Sequence, residues 1–419
     1  MSAAALDLVD GRYGPILDVS RQRLGGGEPN WWLCTTSLAR FPIGSPFNEL
    51  PPTSAGTSID PEHALRRAVG EALERYSALN AALPAERATL DESGLVGRLP
   101  LCAPDEPCPL SFRSPPHDVP LTQTWALRLA TGEKVLVPMA LVALDFRPEP
   151  PEPPVALSIS TGLAFHQRLH EALWRGLCEV VERDSVMTMW WSRSRAPEIS
   201  FSGGDVPASI VERLDRLDAR GFEARLYDIG TEVGIPTVFC VLRGQRFPKL
   251  VVGAATRADP AEACCKALDE VVSMRVALQG PTARDGSGPG DAPTGLVEHA
   301  RLYAEERDPA AFDFLLRGER AVVPYGVFAG RRMRAPADFD ALVEIAETFE
   351  RDELSVLWAD VTSPDVAEHG FVVRVIVPEL VPLSPDDRVR WLATPRLLRR
   401  AGLDAPTRAA FNHDPHPFA

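Results

Sequence analysis

The amino-acid sequence predicts an α+β fold assembled from repeated helix and antiparallel-sheet units. Three observations carry this expectation. One helical pattern occurs twice without gaps, as ALRRAVGEALERYSAL over 64–79 and ALWRGLCEVVERDSVM over 172–187, 108 positions apart. Short runs rich in β-branched and apolar residues lie between and after the copies. These runs alternate with helices without the regular βα spacing of a doubly wound sheet. With 419 residues the chain can bury a substantial core, as one large domain or two to three smaller ones.

Residues 1–40 show little periodicity, contain Trp31-Trp32 near their end, and are read as an N-terminal extension; residues 41–419 form the main domain. The GGGE at 25–28 lacks the Gly-Lys-Ser/Thr ending of a phosphate loop, which excludes a P-loop ATPase. A turn-rich stretch over 41–60 leads into the first helix, with Asp60 as N-cap and Pro61 at the first helical position. The first unit, 56–146, goes on to strand-like runs TWALRLA and KVLVPMALVAL. RPEPPEPP at 147–154 cannot continue a helix or a central strand and reads as a stiff surface connector. The second unit, 155–250, holds the second helix and the strands ARLYDIG and TVFCVLRG. The third unit and C-terminal region, 251–419, open on VVGAATRADPAEACCKALDEVVSMRVAL. This reads as a decayed third copy, in which Ala267 to Val272 echo Leu177 to Glu182 without the second Glu and its Arg. PTARDGSGPGDAPTG over 281–295 reads as a flexible loop, LSVLWADVT and FVVRVIVPEL as strands, and WLATPRLLRR as a helix.

The two helical copies share Ala64/Ala172, Leu65/Leu173, Arg67/Arg175, Glu71/Glu179, Glu74/Glu182, Arg75/Arg183 and Ser77/Ser185. At about 100° per residue, Glu71, Glu74 and Arg75 share one helix face, and Glu179, Glu182 and Arg183 share the equivalent one. A Glu–Arg pair four apart also forms on ordinary solvated helices, where it is worth about 0.2–0.5 kcal/mol. Solvated pairs do not require the same order, spacing and flanking Ala-Leu-x-Arg twice, whereas two half-sites descended from one unit do. Two such faces brought together supply four carboxylates, a donor set for Mg²⁺ bridging to phosphates.

Composition narrows the alternatives. Hydrophobic residues make up 45% and charged residues 24%, which excludes a wholly disordered chain. No run approaches the ~18 consecutive apolar residues of a membrane span, and the start shows no secretory pattern, so a cytoplasmic protein without membrane contact is expected. A net charge of −14 argues against nucleic-acid binding. The cations are nearly all arginine, which favours bidentate contacts to phosphate. Seven cysteines without paired spacing indicate reduced thiols. His166 and His170 with Glu171 hint at zinc but lack a third ligand at a known spacing.

Taken together, ALRRAVGEALERYS, STGLAFHQRLHEALWRGLCEVVERD from Ser160, GAATRADPAEACCKALDE and RVIVPEL resemble the YcaO family, with the azoline-forming cyclodehydratases (D proteins) of ribosomal peptide pathways as the nearest branch. The resemblance covers about Gly56 to the C terminus. It implies a YcaO fold around a non-P-loop ATP site, with Glu71, Glu74, Glu179 and Glu182 holding Mg²⁺ and with Arg75, Arg183, Gln167, Glu171 and Arg275 on the nucleotide side. Family members phosphorylate a peptide amide oxygen. In the azoline-forming branch a Cys, Ser or Thr side chain then closes a thiazoline or oxazoline. That branch commonly ends in Pro-x-Pro-x-Pro near the active site; here Pro415, Pro417 and Ala419 stand at those places, the last proline being absent. Arg67, Ala55-Gly56-Thr57, Thr161-Gly162 and Ser273 also depart from the family pattern. The implied partners are a ribosomal precursor peptide, a separate leader-binding, E1-like protein and a second copy of the chain as homodimer. Two further readings are thioamide or amidine formation, and a degenerate scaffold subunit.

Overall fold

The first ExxER helix, Pro61–Asn80, starts where the sequence says it should. Asp60 is extended and its carboxylate accepts the amides of Glu62 and His63 at 2.8 and 2.9 Å, with Pro61 in the first turn. Its buried face is made of small and aliphatic residues at helical spacing, among them Ala64, Leu65, Ala68, Val69, Ala72 and Leu73. The computed structural model describes residues 7–39, 53–203, 205–280, 292–307, 309–318, 321–404 and 407–418. Residues 41–52 of the turn-rich stretch, 281–291 of the loop, and Ala419 lie outside them.

Three sheets organise the chain. Strands β1 (Ile16–Arg23), β2 (Trp32–Leu38) and β3 (Thr53–Ser58) form an antiparallel sheet in that order. The second sheet contains β4 (Glu86–Ala88), β5 (Leu121–Arg128), β6 (Lys134–Pro138), β7 (Leu163–His166), β13 (Leu357–Asp360) and β14 (Phe371–Ile376). Its order is β4-β5-β13-β14-β7, with β6 also on β5. The third runs β11-β10-β9-β8-β12, from β8 (Glu198–Ser200), β9 (Glu223–Asp228), β10 (Thr237–Arg243), β11 (Leu250–Thr256) and β12 (Val322–Pro324). Among the named strand pairs of the described residues, only β8–β12 is parallel. Sheet and helix are thus mixed without βαβ winding, and the α+β class stands.

Each of three long helices follows an edge strand: β3 leads to Pro61–Asn80, β7 to Leu169–Trp191, and β11 to Pro260–Gln279. Close approach is enforced by glycine. A Cβ on Gly56 would lie 2.2 Å from the Ala64 carbonyl oxygen, and one on Gly253 would lie 2.9 Å from Cβ of Glu270. Gly162 combines φ +86° with only 2.1 Å of room to the Val375 carbonyl oxygen, so a side chain there meets both strain and collision. The second ExxER helix is apolar nearly all round and buried on most of its length. It is the centre of the molecule, tied by Asp184 to Arg396 and to the Val381 amide.

Two expectations are corrected here. Residues 7–39, the described part of the 1–40 segment, are not an appended extension, because β1 and β2 complete the sheet on which the first ExxER helix packs and Trp31 is fully buried, donating to Asp269 at 2.8 Å. Alternation is weak there because part of each strand faces solvent on one edge and helix on the other. The run KVLVPMALVAL is a strand only to Pro138; Met139–Val142 turn into a helical segment, since proline cannot donate to a continuing ladder. The connector over 147–154 has no regular structure, and Glu152 fastens it to the Thr122 amide at 2.9 Å and to Arg87.

Candidate active site

The three edge strands leave backbone amides that no neighbouring strand satisfies. The ExxER carboxylates take them. Glu71 accepts the Ala55 amide of β3 at 3.1 Å, and Glu74 accepts the Phe165 amide of β7 at 2.9 Å. Glu179 accepts the Gly162 amide just before β7 at 3.0 Å, and Glu182 accepts the Thr256 amide of β11 at 3.0 Å. The first Glu of each motif therefore caps the strand of its own unit, and the second caps the strand of the next. Arg75 pairs with Glu71 at 2.6 Å and Arg183 with Glu179 at 3.2 Å, the same pair in both copies.

The carboxylates feel one another. Burial lifts the Glu74 carboxyl to about 8; the Phe165 amide opposes this, while Glu179 and Glu71 add to it. Burial also lifts Glu182 to about 7, against Arg183 and Arg257 and with Glu179 and Glu270. Glu74 retains some accessible surface, yet it sits in a recess enclosed by protein, so desolvation still dominates. Burial, rather than a lack of cations, is what holds these two carboxyls up. Hard oxygen donors from two helices in such a recess suit Mg²⁺, although among the described residues no three groups stand as a ready-made ion cage.

A fifth carboxylate was missed in the sequence. Reading the third copy by texture puts Asp269 opposite Glu179, but the structure puts Glu270 there, beside Glu182 and paired with Lys266. Aligning Gly253 with Gly162 sets Glu270 against Glu179 and Lys266 against Arg175, a signal that was available in the sequence. Asp269 points the other way, into a buried cluster with Trp31, Arg67 and Arg213. Arg175, Arg257 and Arg374 also border the recess, as their charge coupling to Glu74, Glu182 and Glu179 records.

The remaining expected residues separate into two groups. Glu171 and Gln167 lie at the N-terminal end of the second ExxER helix, Gln167 exposed and Glu171 paired with Arg168 and with His166 Nε2 at 3.0 Å. Eight helical residues, about 12 Å, separate Glu171 from Glu179. Arg275 does not join the recess. It is 1% exposed, with Glu28 at 2.6 and 2.9 Å and the carbonyls of Phe247 and Pro248 taking its N–H groups, so the expected nucleotide cation is a structural lock. Among the described residues His166, His170 and Glu171 do not gather into a metal-holding group; His166 Nε2 lies 3.0 Å from Glu171.

The C-terminal tail threads into the molecule. Arg390 holds the Asn412 and His413 carbonyls, and Trp190 and Tyr303 donate to the Asp414 and Pro415 carbonyls at 3.0 and 2.6 Å. His416 stacks on His299 at 3.8 Å between ring centroids, and the Phe418 ring lies 4.6 Å from the Arg183 guanidinium carbon. The tail thus meets the second ExxER motif through Phe418, two residues beyond His416, while the Pro415 carbonyl is held by Tyr303.

A carboxylate recess shared by repeated helices, in a chain without a P-loop motif, has the donor chemistry of a Mg²⁺ site that bridges to phosphates. The YcaO cyclodehydratase family profile, described as ATP- and Mg²⁺-binding, matches residues 55–381, and the chain belongs to the YcaO family. An uncharacterized protein in the tfuA 3′ region of Rhizobium leguminosarum bv. trifolii is 29% identical over 348 residues, 78% of this chain and 76% of that protein. A heterocyclase solved in complex with substrate and cofactor superposes with a TM-score of 0.75 at 20% identity, over 99% of this chain and 57% of that one. The chain thus spans little more than half of that heterocyclase. YcaO from Methanopyrus kandleri, bound with AMPPCP and Mg²⁺, gives 0.61 at 21% identity, over 87% and 86%. The cofactors are ATP and Mg²⁺. Among the described residues no helix is long and apolar enough to cross a membrane.

Proposed function

We propose that the chain is an ATP- and Mg²⁺-dependent cyclodehydratase converting Cys, Ser or Thr of a ribosomal precursor peptide to thiazoline or oxazoline. The observation that supports this reading is the tail: Tyr303 holds the Pro415 carbonyl and the Phe418 ring lies 4.6 Å from the guanidinium carbon of Arg183 in the second ExxER motif, in line with the tail that the azoline-forming resemblance implies. Glu71, Glu74, Glu179 and Glu182 hold Mg²⁺, Glu270 completes the set, and Arg75 and Arg183 orient the carboxylates or reach phosphate. Gln167 and Glu171 face the nucleotide end.

The side-chain thiol or hydroxyl adds to the preceding carbonyl carbon and loses its proton, and the carbonyl π pair moves to oxygen. That oxygen takes up the γ-phosphoryl group with release of ADP. The amide N–H proton then departs, the C–O bond breaks to expel inorganic phosphate, and C=N forms. The oxygen lost by the peptide leaves in phosphate, which is a far better leaving group than hydroxide. Positioning and charge neutralisation are the protein's main contribution to such a transfer. A precursor peptide, a separate leader-binding partner and a second copy of the chain complete the proposed assembly, in the cytoplasm.

In a second reading, sulfide or an amine attacks the activated amide instead. Intact-mass analysis of precursor incubated with chain, partner and Mg·ATP separates the two. A loss of about 18 Da per site supports cyclodehydration and a gain of about 16 Da supports thioamidation. No ATP consumption in any combination leaves the scaffold reading.

A further inference from the structure

Beneath the second ExxER helix lies a cavity of about 70 Å³ whose walls are mostly aliphatic, Val155, Ile159, Val180, Ile376 and Leu383 among them. Two guanidiniums also line it, Arg183 and Arg374. Arg374 is 3% exposed; its Nε donates to the Leu141 carbonyl at 2.9 Å, while its Nη1 is buried without an acceptor. Nε and Nη1 of Arg183 are buried without acceptors as well. Three charged donors in a largely apolar chamber call for an oxygen acceptor, because buried guanidinium N–H groups left unpaired are costly. Thr161 and Val180, the neighbours of Gly162 and Glu179, form part of the lining, so the chamber abuts the carboxylate recess.

The occupant must carry oxygen and hydrocarbon together. Phosphate satisfies the donors but not the walls, and the glutamates already provide a cation-mediated place for it. A peptide satisfies both, its carbonyl oxygen meeting the guanidiniums and an aliphatic side chain filling a volume of this size. We propose that this chamber is the acceptor subsite, in which Arg374 and Arg183 hold the amide oxygen to be activated while the cavity takes an aliphatic side chain of the adjoining peptide residue. This rests on the amide-activating function proposed above. Donors fixed around an oxygen that becomes anionic on nucleophilic attack stabilise the transition state more than the ground state. Peptides with Leu, Val or Ile beside the modified position are therefore preferred over those with Asp or Gly.

Saturation-transfer NMR with Ac-Ala-Leu-Cys-Ala-NH₂ and Ac-Ala-Asp-Cys-Ala-NH₂ tests this on the full chain, with Mg²⁺ and a fluorescent ATP analogue as a separate titration. The Leu methyls of the first peptide are expected to receive saturation, with the second peptide at least 10-fold weaker. Ala156 also lines the cavity, whose lining contains no glutamate; Ala156→Phe fills it, removes the peptide signal and shifts nucleotide affinity less than 2-fold, while Arg374→Gln weakens the peptide at least 10-fold. Equal signals from the two peptides, no peptide signal from the unmodified chain, or an undiminished signal in Ala156→Phe overturns the subsite. Failure of the nucleotide analogue to bind overturns the ATP function instead, a result read independently of the peptide.

Discussion

Glu74 on the first ExxER helix accepts the backbone amide of Phe165 in β7 at 2.9 Å, so a carboxylate of one repeat terminates the sheet edge of the next. Glu182 does the same to Thr256 in β11. In the third junction the Thr57 hydroxyl of β3 donates to the Asp269 carbonyl oxygen at 2.8 Å. Three helices and three edge strands thus close in a ring, with the carboxylates on its inside.

Replacing Glu74 by Gln keeps an acceptor for the Phe165 amide and removes a carboxyl that burial already disfavours as an anion. Glu74→Gln is expected to melt at or above the temperature of the parent chain at pH 8 while losing at least 100-fold in ATP turnover. Glu74→Ala, which loses the acceptor too, should fall by about 1–3 kcal/mol in chemical denaturation.

Folded-state values of about 8 for Glu74 and about 7 for Glu182 lie above the ordinary 4.5. The folded apo chain therefore binds more protons than the unfolded chain between about pH 4.5 and 8, and this contribution to stability declines as pH rises through that window. A bound cation reverses the balance. Stabilisation by Mg·ATP, measured as a shift in melting temperature, should be larger at pH 8 than at pH 6, with protons released on binding at pH 7.

Removing His416 to Ala419 deletes the stack on His299 and the Phe418–Arg183 contact. The ring of helices does not use these residues, so the truncated chain should keep its circular dichroism and bind nucleotide, yet lose at least 10-fold in peptide-dependent ATP turnover. Full activity after truncation would refute the tail's role.

Both stacked imidazoles are neutral, because burial lowers His416 well below 6.5 and lowers His299 too. His416 Nε2 donates to the Ser384 carbonyl at 2.7 Å, leaving Nδ1 to accept the Phe418 amide; His299 Nδ1 donates to the His416 carbonyl at 2.9 Å. Asp387, Arg390 and Tyr303 pack around the pair, Arg390 opposing a second positive charge. A histidine depressed on folding contributes stability that is complete above pH 6.5 and is lost as pH falls below it. Proteolytic release of the tail should therefore accelerate between pH 6.5 and 5.5, and His416→Phe should flatten that response.

Asp269 is fully buried and accepts from Trp31, Arg67 and Arg213. Asp269→Ala leaves Arg213 buried without its carboxylate, and about 3–5 kcal/mol should be lost in urea denaturation.

The carboxylate pairs, the N-cap at Asp60, and most long strands were legible because each rests on local chemistry: spacing, a cap before proline, apolar alternation. What local patterning could not tell is which strand edge a glutamate would meet. The register of the third helix was hidden for a related reason, since Asp269 and Glu270 are adjacent acids and only packing decides which one faces the ring. Arg275 looked like a free cation until Glu28, remote in sequence, was found bound to it. Arg374 drew no notice within a strand-like run, because its environment comes from five other segments.

The glutamates that would grip the metal also hold strand edges, and Glu74 and Glu182 fasten one repeat to the next. In an ordinary enzyme a lineage can abandon catalysis and keep its scaffold; here, losing the acids unbuttons the strand edges as well. A descendant reduced to a scaffold would have to install new acceptors at Ala55, Phe165, Gly162 and Thr256, so retirement from chemistry should leave visible repairs at those four amides.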